Sequence, residues 1–228
     1  MNFMQWLNSL DELLYEIMSW LVFFPVTLWR AVTRPLTMMN YADLELRDKP
    51  EEQFTDTLSP PLFLVIALIV SHGVELGLGG GVNPIVTSNV GLATLVTDNS
   101  TLLLLRLVTF AVFPLMLAVR LLSARKVALN RNRLRAPFYA QCYAAGPFAL
   151  FLGLGVSLAH AHQGWASTVG PILIVISLVA YVAVQAAWFA RHLGCGLLRG
   201  LMSGLIGLLA GGVLVIFIGW IFAGGAVT

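Results

Sequence analysis

The chain has 228 residues, of which 58% are hydrophobic and only 11% are charged, and its formal net charge is +2. So large an apolar fraction excludes an ordinary soluble domain and is typical of a protein that crosses a membrane several times, with the lipid bilayer as its main partner. Because the cations lie in loops and helix flanks, the small positive charge indicates topology and not a nucleic-acid-binding surface.

The N-terminal segment is amphipathic. Residues 3–21 carry apolar side chains at helical spacing with acidic side chains between them, which predicts a helix with one apolar face. An apolar stretch follows, but Pro25 interrupts it and it is shorter than the roughly 20 residues that a membrane span needs. We interpret residues 3–31 as a helix in the membrane interface, anchored by tryptophans; a genuine extra span over residues 13–31 is the alternative.

The chain divides at residue 58. Residues 40–58 are its longest polar stretch and are predicted to form a cytoplasmic linker, so that residues 1–58 make one unit and residues 59–228 a second. Ser59, Pro60 and Pro61 suit the start of a helix, since a hydroxyl can cap the first turn and proline is tolerated there. The second unit has five predicted spans, at about 60–79, 101–122, 138–159, 167–189 and 201–223.

The orientation follows from the cations. The stretch from Arg120 to Arg135 carries six of the thirteen lysines and arginines, and cytoplasmic loops of membrane proteins carry this excess. Only Arg106 lies away from a segment predicted to be cytoplasmic. The sequence therefore predicts an all-α integral membrane protein with five transmembrane helices after an interfacial helix, and with a cytoplasmic N-terminus. The compact loops favour a bacterial inner membrane.

Two charges lie inside predicted spans, close to the outer side. Glu75 is about one turn below the outer end of the first span, and Arg106 slightly more than one turn below that of the second. An unpaired charge at this depth costs on the order of 3 kcal/mol, so we predict that the two side chains pair. His72 lies one turn deeper on the same helical face as Glu75.

The role of this polar group stays open between a structural ion pair and the site of a small transporter or channel. A metal or proton site is a third possibility, because His160 and His162 end the third span and histidine and carboxylate are ligands that zinc accepts. His-x-His is a common pattern in short loops, however. We therefore expect neither a metal nor another cofactor.

Polar side chains also occur toward the cytoplasmic side of the bundle. Tyr139 and Gln141 open the third span, while Tyr181 and Gln185 share a face of the fourth. We predict an inner polar cluster of these four residues, joined by hydrogen bonds between helices. The alternative is that they line a cavity open to the cytoplasm.

The fifth span has a face of small residues, Ser203, Gly207 and Gly211, at four-residue spacing. Such a face lets two helix backbones approach closely. We favour packing inside the bundle; the alternative is contact with a second copy or with another membrane protein, as in a scaffold subunit of a larger complex.

Several catalytic motifs are missing from the sequence. It contains no Gly-x-x-x-x-Gly-Lys loop, no Gly-x-Ser-x-Gly elbow and no His-Glu-x-x-His pair. The common nucleotide-binding, serine-hydrolase and zinc-protease sites are thus not encoded. The sequence favours a protein that is not an enzyme.

The plan of residues 59–225 resembles the Yip family, the Ypt/Rab-interacting type of small five-span membrane proteins, which has bacterial permease-like relatives. The features that carry the resemblance are the cytoplasmic N-terminal segment, the Pro60–Pro61 start, the basic second loop, and the stretch YAQCYAAGPFAL with Pro147. The resemblance implies a helical bundle without enzymatic activity, with a role in membrane organisation, trafficking or transport assistance. It supplies no catalytic residues.

Overall fold

The computed structural model describes residues 3–78, 99–161 and 164–222, and every regular element in these ranges is an α-helix. In chain order the helices are α1 (Phe3–Thr33), α2 (Pro35–Glu45), α3 (Pro60–Gly77), α4 (Asn99–Ala124), α5 (Arg131–His160), α6 (Ala166–Leu193) and α7 (Leu197–Phe222). The all-α architecture predicted from composition is confirmed.

Six of these helices are long and apolar enough to cross a membrane. Helices α3 to α7 correspond to the five predicted spans, and α1 from Ser9 onward is the sixth. Large apolar side chains such as Val179, Val213 and Ile216 are exposed on the bundle, which is favourable in lipid and unfavourable in water. The chain is therefore built as an integral membrane protein. Only 6% of the most apolar part of α1 is buried, so both placements of this helix stay open.

Close contacts fix the directions of the helices. α3 and α5 run parallel, whereas α5 and α6, α6 and α7, and α7 and α4 are antiparallel, so α4 is also antiparallel to α3. The contacts that show this are Phe63 with Gly146, Ser71 with Gly153, Gln141 with Gln185, Gly155 with Gly170, Gly200 with Ala190, Gly204 with Gln185, Gly207 with Leu117, and Gly211 with Phe113.

The alternating directions bring the cationic segments to one end of the bundle. This cationic end holds the α4–α5 loop, the α6–α7 loop and the start of α3. Arg125, in the α4–α5 loop, contacts the end of α6, because its Nε and Nη2 donate to the His192 carbonyl at 3.1 and 2.8 Å. The arrangement agrees with the grouping of cations that the sequence predicts for the cytoplasmic side.

Helix α5 begins earlier than its predicted span. The span was placed at 138–159, but the helix starts at Arg131 and so extends about two turns past the apolar stretch. Asn130 caps this extension by accepting a hydrogen bond from the Arg133 backbone N–H at 2.8 Å. Periodicity of apolar residues locates only the apolar part of a helix. The predicted span therefore began about seven residues after the helix does.

The N-terminal segment and the polar linker pack onto the bundle. Helix α2 includes the first residues of the predicted linker, and it buries Met38, Met39 and Ala42 against α5. The main apolar core joins such residues to Phe63 on α3 and Trp188 on α6. Residues before position 58 thus share a core with the spanning helices.

The small-residue face of α7 packs inside the bundle, as the sequence favours. A Cβ atom at Gly207 would lie 2.9 Å from Leu117 Cδ2, and one at Gly211 would lie 3.0 Å from Phe113 Cδ1. Ser203, on the same face, is buried. Because α4 covers this face, the alternative of a second subunit docking through Gly207 and Gly211 is wrong.

Helices α5 and α6 cross at very close range. A Cβ atom at Gly170 would lie 2.4 Å from the Ala159 backbone nitrogen and 2.7 Å from the Gly155 carbonyl oxygen. Both obstacles are backbone atoms, which cannot rotate away as a side chain can. Only glycine lets the two helices approach this closely.

We expect Gly170→Ala to lower the free energy of unfolding in detergent by about 1–3 kcal/mol, because the added methyl group forces α5 and α6 apart. Gly212→Ala is the matched control, since no atom lies within 4 Å of its new methyl group. The control is expected to leave stability unchanged or raise it by up to ~1 kcal/mol, owing to the better helix propensity of alanine. Equal stability of the two variants would contradict the packing argument.

Candidate functional site

The outer polar group consists of His72 and Glu75 on α3 and Arg106 on α4. Arg106 binds the carboxylate with both ends of its guanidinium group: Nη2 donates to Glu75 Oε1 at 2.9 Å, and Nη1 donates to Oε2. His72 Nδ1 lies 3.3 Å from Glu75 Oε2 and 3.2 Å from Arg106 Nη1. The ion pair predicted from matched depths is thus present, with the histidine beside it.

Helix geometry explains how the three side chains meet. His72 and Glu75 are three residues apart and therefore project from one face of α3, toward the antiparallel α4. The side chains of Glu75 and Arg106 are 25% and 26% exposed, and that of His72 is 9% exposed. The pair is consequently shielded but not sealed within the protein.

The histidine has one nitrogen in use and one free. Its Nδ1 can donate to Glu75 in one tautomer or accept from Arg106 in the other, but it cannot do both at once. Its Nε2 is buried and has no hydrogen-bond partner in the described part of the chain. A buried nitrogen of this kind is a place where a proton, a water molecule or an ion can bind.

The described residues do not form the predicted metal site. His160 is exposed, and its Nδ1 lies 2.8 Å from the Val156 carbonyl oxygen of its own helix. His162 lies outside the described residues. Within residues 3–78, 99–161 and 164–222, no group of three or more histidine, cysteine or acidic side chains is placed to hold a metal ion.

Two of the four predicted inner polar residues, Gln141 and Gln185, are joined by hydrogen bonds. Gln141 and Gln185 exchange two hydrogen bonds, at 3.0 and 2.7 Å, and both side chains are fully buried. Tyr181, one turn from Gln185, stacks on Phe148 with ring centroids 4.3 Å apart, and its buried hydroxyl has no partner among the described residues. The glutamine pair thus joins α5 to α6.

Tyr139 does not belong to this cluster, and that part of the prediction is wrong. Its ring lies 5.2 Å from the Arg135 guanidinium carbon and 6.2 Å from the Phe54 ring. Two residues along a helix turn through about 200°, so Tyr139 and Gln141 project to nearly opposite sides of α5. The sequence prediction grouped them by depth alone.

A cavity of about 310 Å³ lies between the end of α1 and helices α5 and α6. Pro147, Phe148, Ser177 and Tyr181 are among its lining residues, and the wall is almost entirely apolar. Gln141 and Gln185 do not line it. The alternative in which all the inner polar residues line one inward cavity therefore does not hold, because the two glutamines satisfy each other.

A second polar network was missed by the sequence prediction. Asp56, in the linker, accepts hydrogen bonds from Arg30 Nη1 at 2.8 Å and from the Tyr41 hydroxyl at 2.5 Å. It ties the end of α1 and helix α2 to the start of α3. The partners are 26 and 15 residues from Asp56, and no local sequence pattern connects residues so far apart.

The same network continues into the bundle. The Tyr143 hydroxyl on α5 donates to the Leu58 carbonyl at 2.8 Å and lies 3.2 Å from the Thr57 hydroxyl. The Leu58 backbone N–H donates to Thr27 Oγ1 at 3.1 Å. The extended residues before α3 thus receive from side chains the hydrogen bonds that a helix would supply internally.

The pKa values of two acids at the cationic end shift in opposite directions. The hydrogen bond from Tyr41, with that from Arg30 next, lowers the pKa of Asp56 below its usual value. Burial raises the pKa of Asp43, although Arg125 and Arg47 act against the rise. Burial and the contact with Asp56 raise the pKa of Tyr41, so its hydroxyl stays protonated as a donor.

The comparisons with known proteins identify no family. No protein-family model matches the chain, and no curated protein and no solved structure matches it either. The resemblance to the Yip family therefore stays a prediction from the sequence, and the site must be interpreted from its own geometry.

We expect a thermodynamic coupling between Glu75 and Arg106 in a double-mutant cycle with Glu75→Gln and Arg106→Gln. Each single variant leaves one charge without its partner, whereas the double variant removes both charges. Since the side chains are one-quarter exposed, the coupling free energy is expected near the lower end for shielded pairs, about 1–2 kcal/mol. The measurement is unfolding in detergent, and strictly additive losses would contradict the pairing.

A pH series separates the two linker acids. Because the pKa of Asp56 is lower in the folded protein, its contribution to stability is present above the unfolded pKa, about 3.9, and is lost as pH falls through the folded pKa. Asp56→Asn should therefore be less stable than wild type at pH 7 and approach it in acid.

Asp43→Asn is the comparison variant, and its expected effect on stability has the opposite sign. The pKa of Asp43 is raised in the folded protein, so the ionised carboxylate opposes folding at neutral pH. This variant should match or exceed wild-type stability at pH 7, with the difference shrinking as the pH falls. Parallel pH profiles for the two variants would refute the assignment.

Proposed function

We propose that this is a non-enzymatic membrane protein of Yip-like, permease-type architecture that acts in membrane organisation or transport assistance. The observation that carries the proposal is that two pairs of polar side chains on neighbouring spanning helices satisfy one another. Arg106 pairs with Glu75, and Gln141 pairs with Gln185. Groups engaged in this way stabilise helix contacts and are not poised to attack or carry a substrate.

The N-terminal helix provides a physical mechanism for acting on the membrane. Leu14, Met18 and Leu21 are exposed at helical spacing on α1. A helix that inserts such a face into one leaflet binds the membrane interface and responds to curvature and lipid packing. The bilayer of a bacterial inner membrane is the proposed setting, and a second copy or another membrane protein is a further possible partner.

The second candidate is a small transporter or channel that uses the outer polar group. The free Nε2 of His72 favours it, since a buried ring nitrogen beside an ion pair can accept and release a proton. The partial exposure of Glu75 and Arg106 gives a route for ions to reach the pair. In this case the ion pair would have to open during each cycle.

Reconstituted vesicles separate the two candidates. Membrane organisation predicts a protein-dependent change in vesicle size by light scattering, reduced by Leu14→Glu with Met18→Glu and kept by Glu75→Gln. It also predicts proton and potassium flux no faster than in protein-free vesicles.

The transporter predicts a flux that Glu75→Gln abolishes. Glu51→Gln, which removes one exposed acid from the linker, is the matched control for loss of a negative charge. Flux that is present in wild type and in Glu51→Gln but lost in Glu75→Gln would overturn the first proposal. A vesicle size that does not depend on protein would do so as well.

A further inference from the structure

A second cavity, of about 440 Å³, lies at the cationic end between α4 and α7. Arg120 from α4 and Arg199 and Ser203 from α7 provide its polar groups. It belongs neither to the outer polar group nor to the apolar cavity beside Tyr181, since it shares no lining residue with either.

The polar groups of this cavity lack partners. Arg120 Nε and Ser203 Oγ are both buried without a hydrogen bond in the described part of the chain, and Ser203 is only 3% exposed. Neither Arg120 nor Arg199 forms an ion pair with a described acidic residue. Buried donors left unsatisfied cost free energy, which a bound acceptor would recover.

Arg120 lies close to Gly207 of α7. Its Cβ lies 3.4 Å from the position that a Cβ atom at Gly207 would occupy, one helical turn beyond Ser203. The missing side chain at Gly207 therefore leaves room for Arg120, whose side chain lines the cavity.

The outer wall of the cavity is apolar and faces lipid. Leu198, Met202 and Ile206 line it at four-residue spacing along α7, and they are 73%, 55% and 46% exposed. The two arginines of the cavity and this apolar ridge together form an amphipathic surface. A matching ligand has a negative head and a hydrocarbon chain.

We propose that this cavity binds the phosphate headgroup of an anionic phospholipid from the leaflet at the cationic end. Arg120 and Arg199 would bind the phosphate oxygens through charge-assisted hydrogen bonds, and the Ser203 hydroxyl would donate a third. An acyl chain would follow the ridge of Leu198, Met202 and Ile206. Basic pockets between membrane helices on the cytoplasmic side are known to take such headgroups.

The test measures binding of lipids with identical acyl chains to the full-length protein in detergent. Phosphatidylglycerol should bind and raise the unfolding temperature, whereas phosphatidylcholine should not. The double variant Arg120→Gln with Arg199→Gln should bind phosphatidylglycerol roughly 30-fold more weakly, at about fivefold per arginine. Arg199→Gln alone, an exposed position, should lose about fivefold and covers the case in which the double variant does not fold.

The matched control is Arg131→Gln with Arg133→Gln, which removes two exposed cations from the same end but outside the cavity. Its affinity should stay within about twofold of wild type, since neither side chain lines the cavity and salt screens exposed charges. Equal losses in both double variants would show diffuse surface attraction and overturn the site. Equal binding of phosphatidylcholine would also overturn it, because the cations would then have no role.

A second experiment distinguishes a lipid ligand from a soluble anion. Cys195 lines the cavity, whereas Cys142 is fully buried, so thiol alkylation reports on this site. Phosphatidylglycerol vesicles should slow alkylation relative to phosphatidylcholine vesicles, and inorganic phosphate or glycerol phosphate in detergent should not. Equal protection by the soluble anions would overturn the lipid assignment. The flux results for Glu75→Gln bear on the proposed function alone and leave this test unaffected.

Discussion

A charge inside hydrocarbon has no water to solvate it, and this constraint governs the arrangement of α3 and α4. Glu75 and Arg106 lie within apolar helices, and the bidentate ion pair between them replaces the lost hydration. The pair keeps α3 and α4 adjacent, with these two residues at one depth. The same constraint applies to Gln141 and Gln185, whose amides exchange both hydrogen bonds across α5 and α6.

Helix association in lipid gains little from the hydrophobic effect, so close packing has to supply the remaining stability. Gly155 and Gly170 bring the backbones of α5 and α6 together, and Gly207 and Gly211 do the same for α7 against α4. Around this frame, α1 and α2 add buried apolar residues at the cationic end, where the Asp56 network holds them. Among the described residues, the outer end thus carries the Glu75–Arg106 ion pair, whereas the hydrogen bonds of the Asp56 network lie at the cationic end.

The distribution of satisfied and unsatisfied polar groups guides the functional proposals. Pairs that satisfy each other, such as Gln141 with Gln185, are explained by stability alone. The unpartnered Nε of Arg120 and Oγ of Ser203 are not, and they lie in a cavity with a lipid-facing wall. The free Nε2 of His72 is the comparable feature at the outer end, and it sustains transport as the second candidate function.

The sequence alone determined the helical class, the five apolar spans and the pairing of Glu75 with Arg106. Each follows from local quantities: run length, cation placement and the depth of a residue along its own helix. It also indicated the packing face of α7, because four-residue spacing marks one side of a helix.

Only the tertiary structure decided which residues of different helices meet. It separated Tyr139 from Gln141, docked α2 onto α5 and joined Asp56 to Arg30 and Tyr41. It also left Arg120 beside Ser203 without an acidic partner in the described chain. Such contacts depend on helix rotation and on the path of the linker, and both are set by packing among many residues at once.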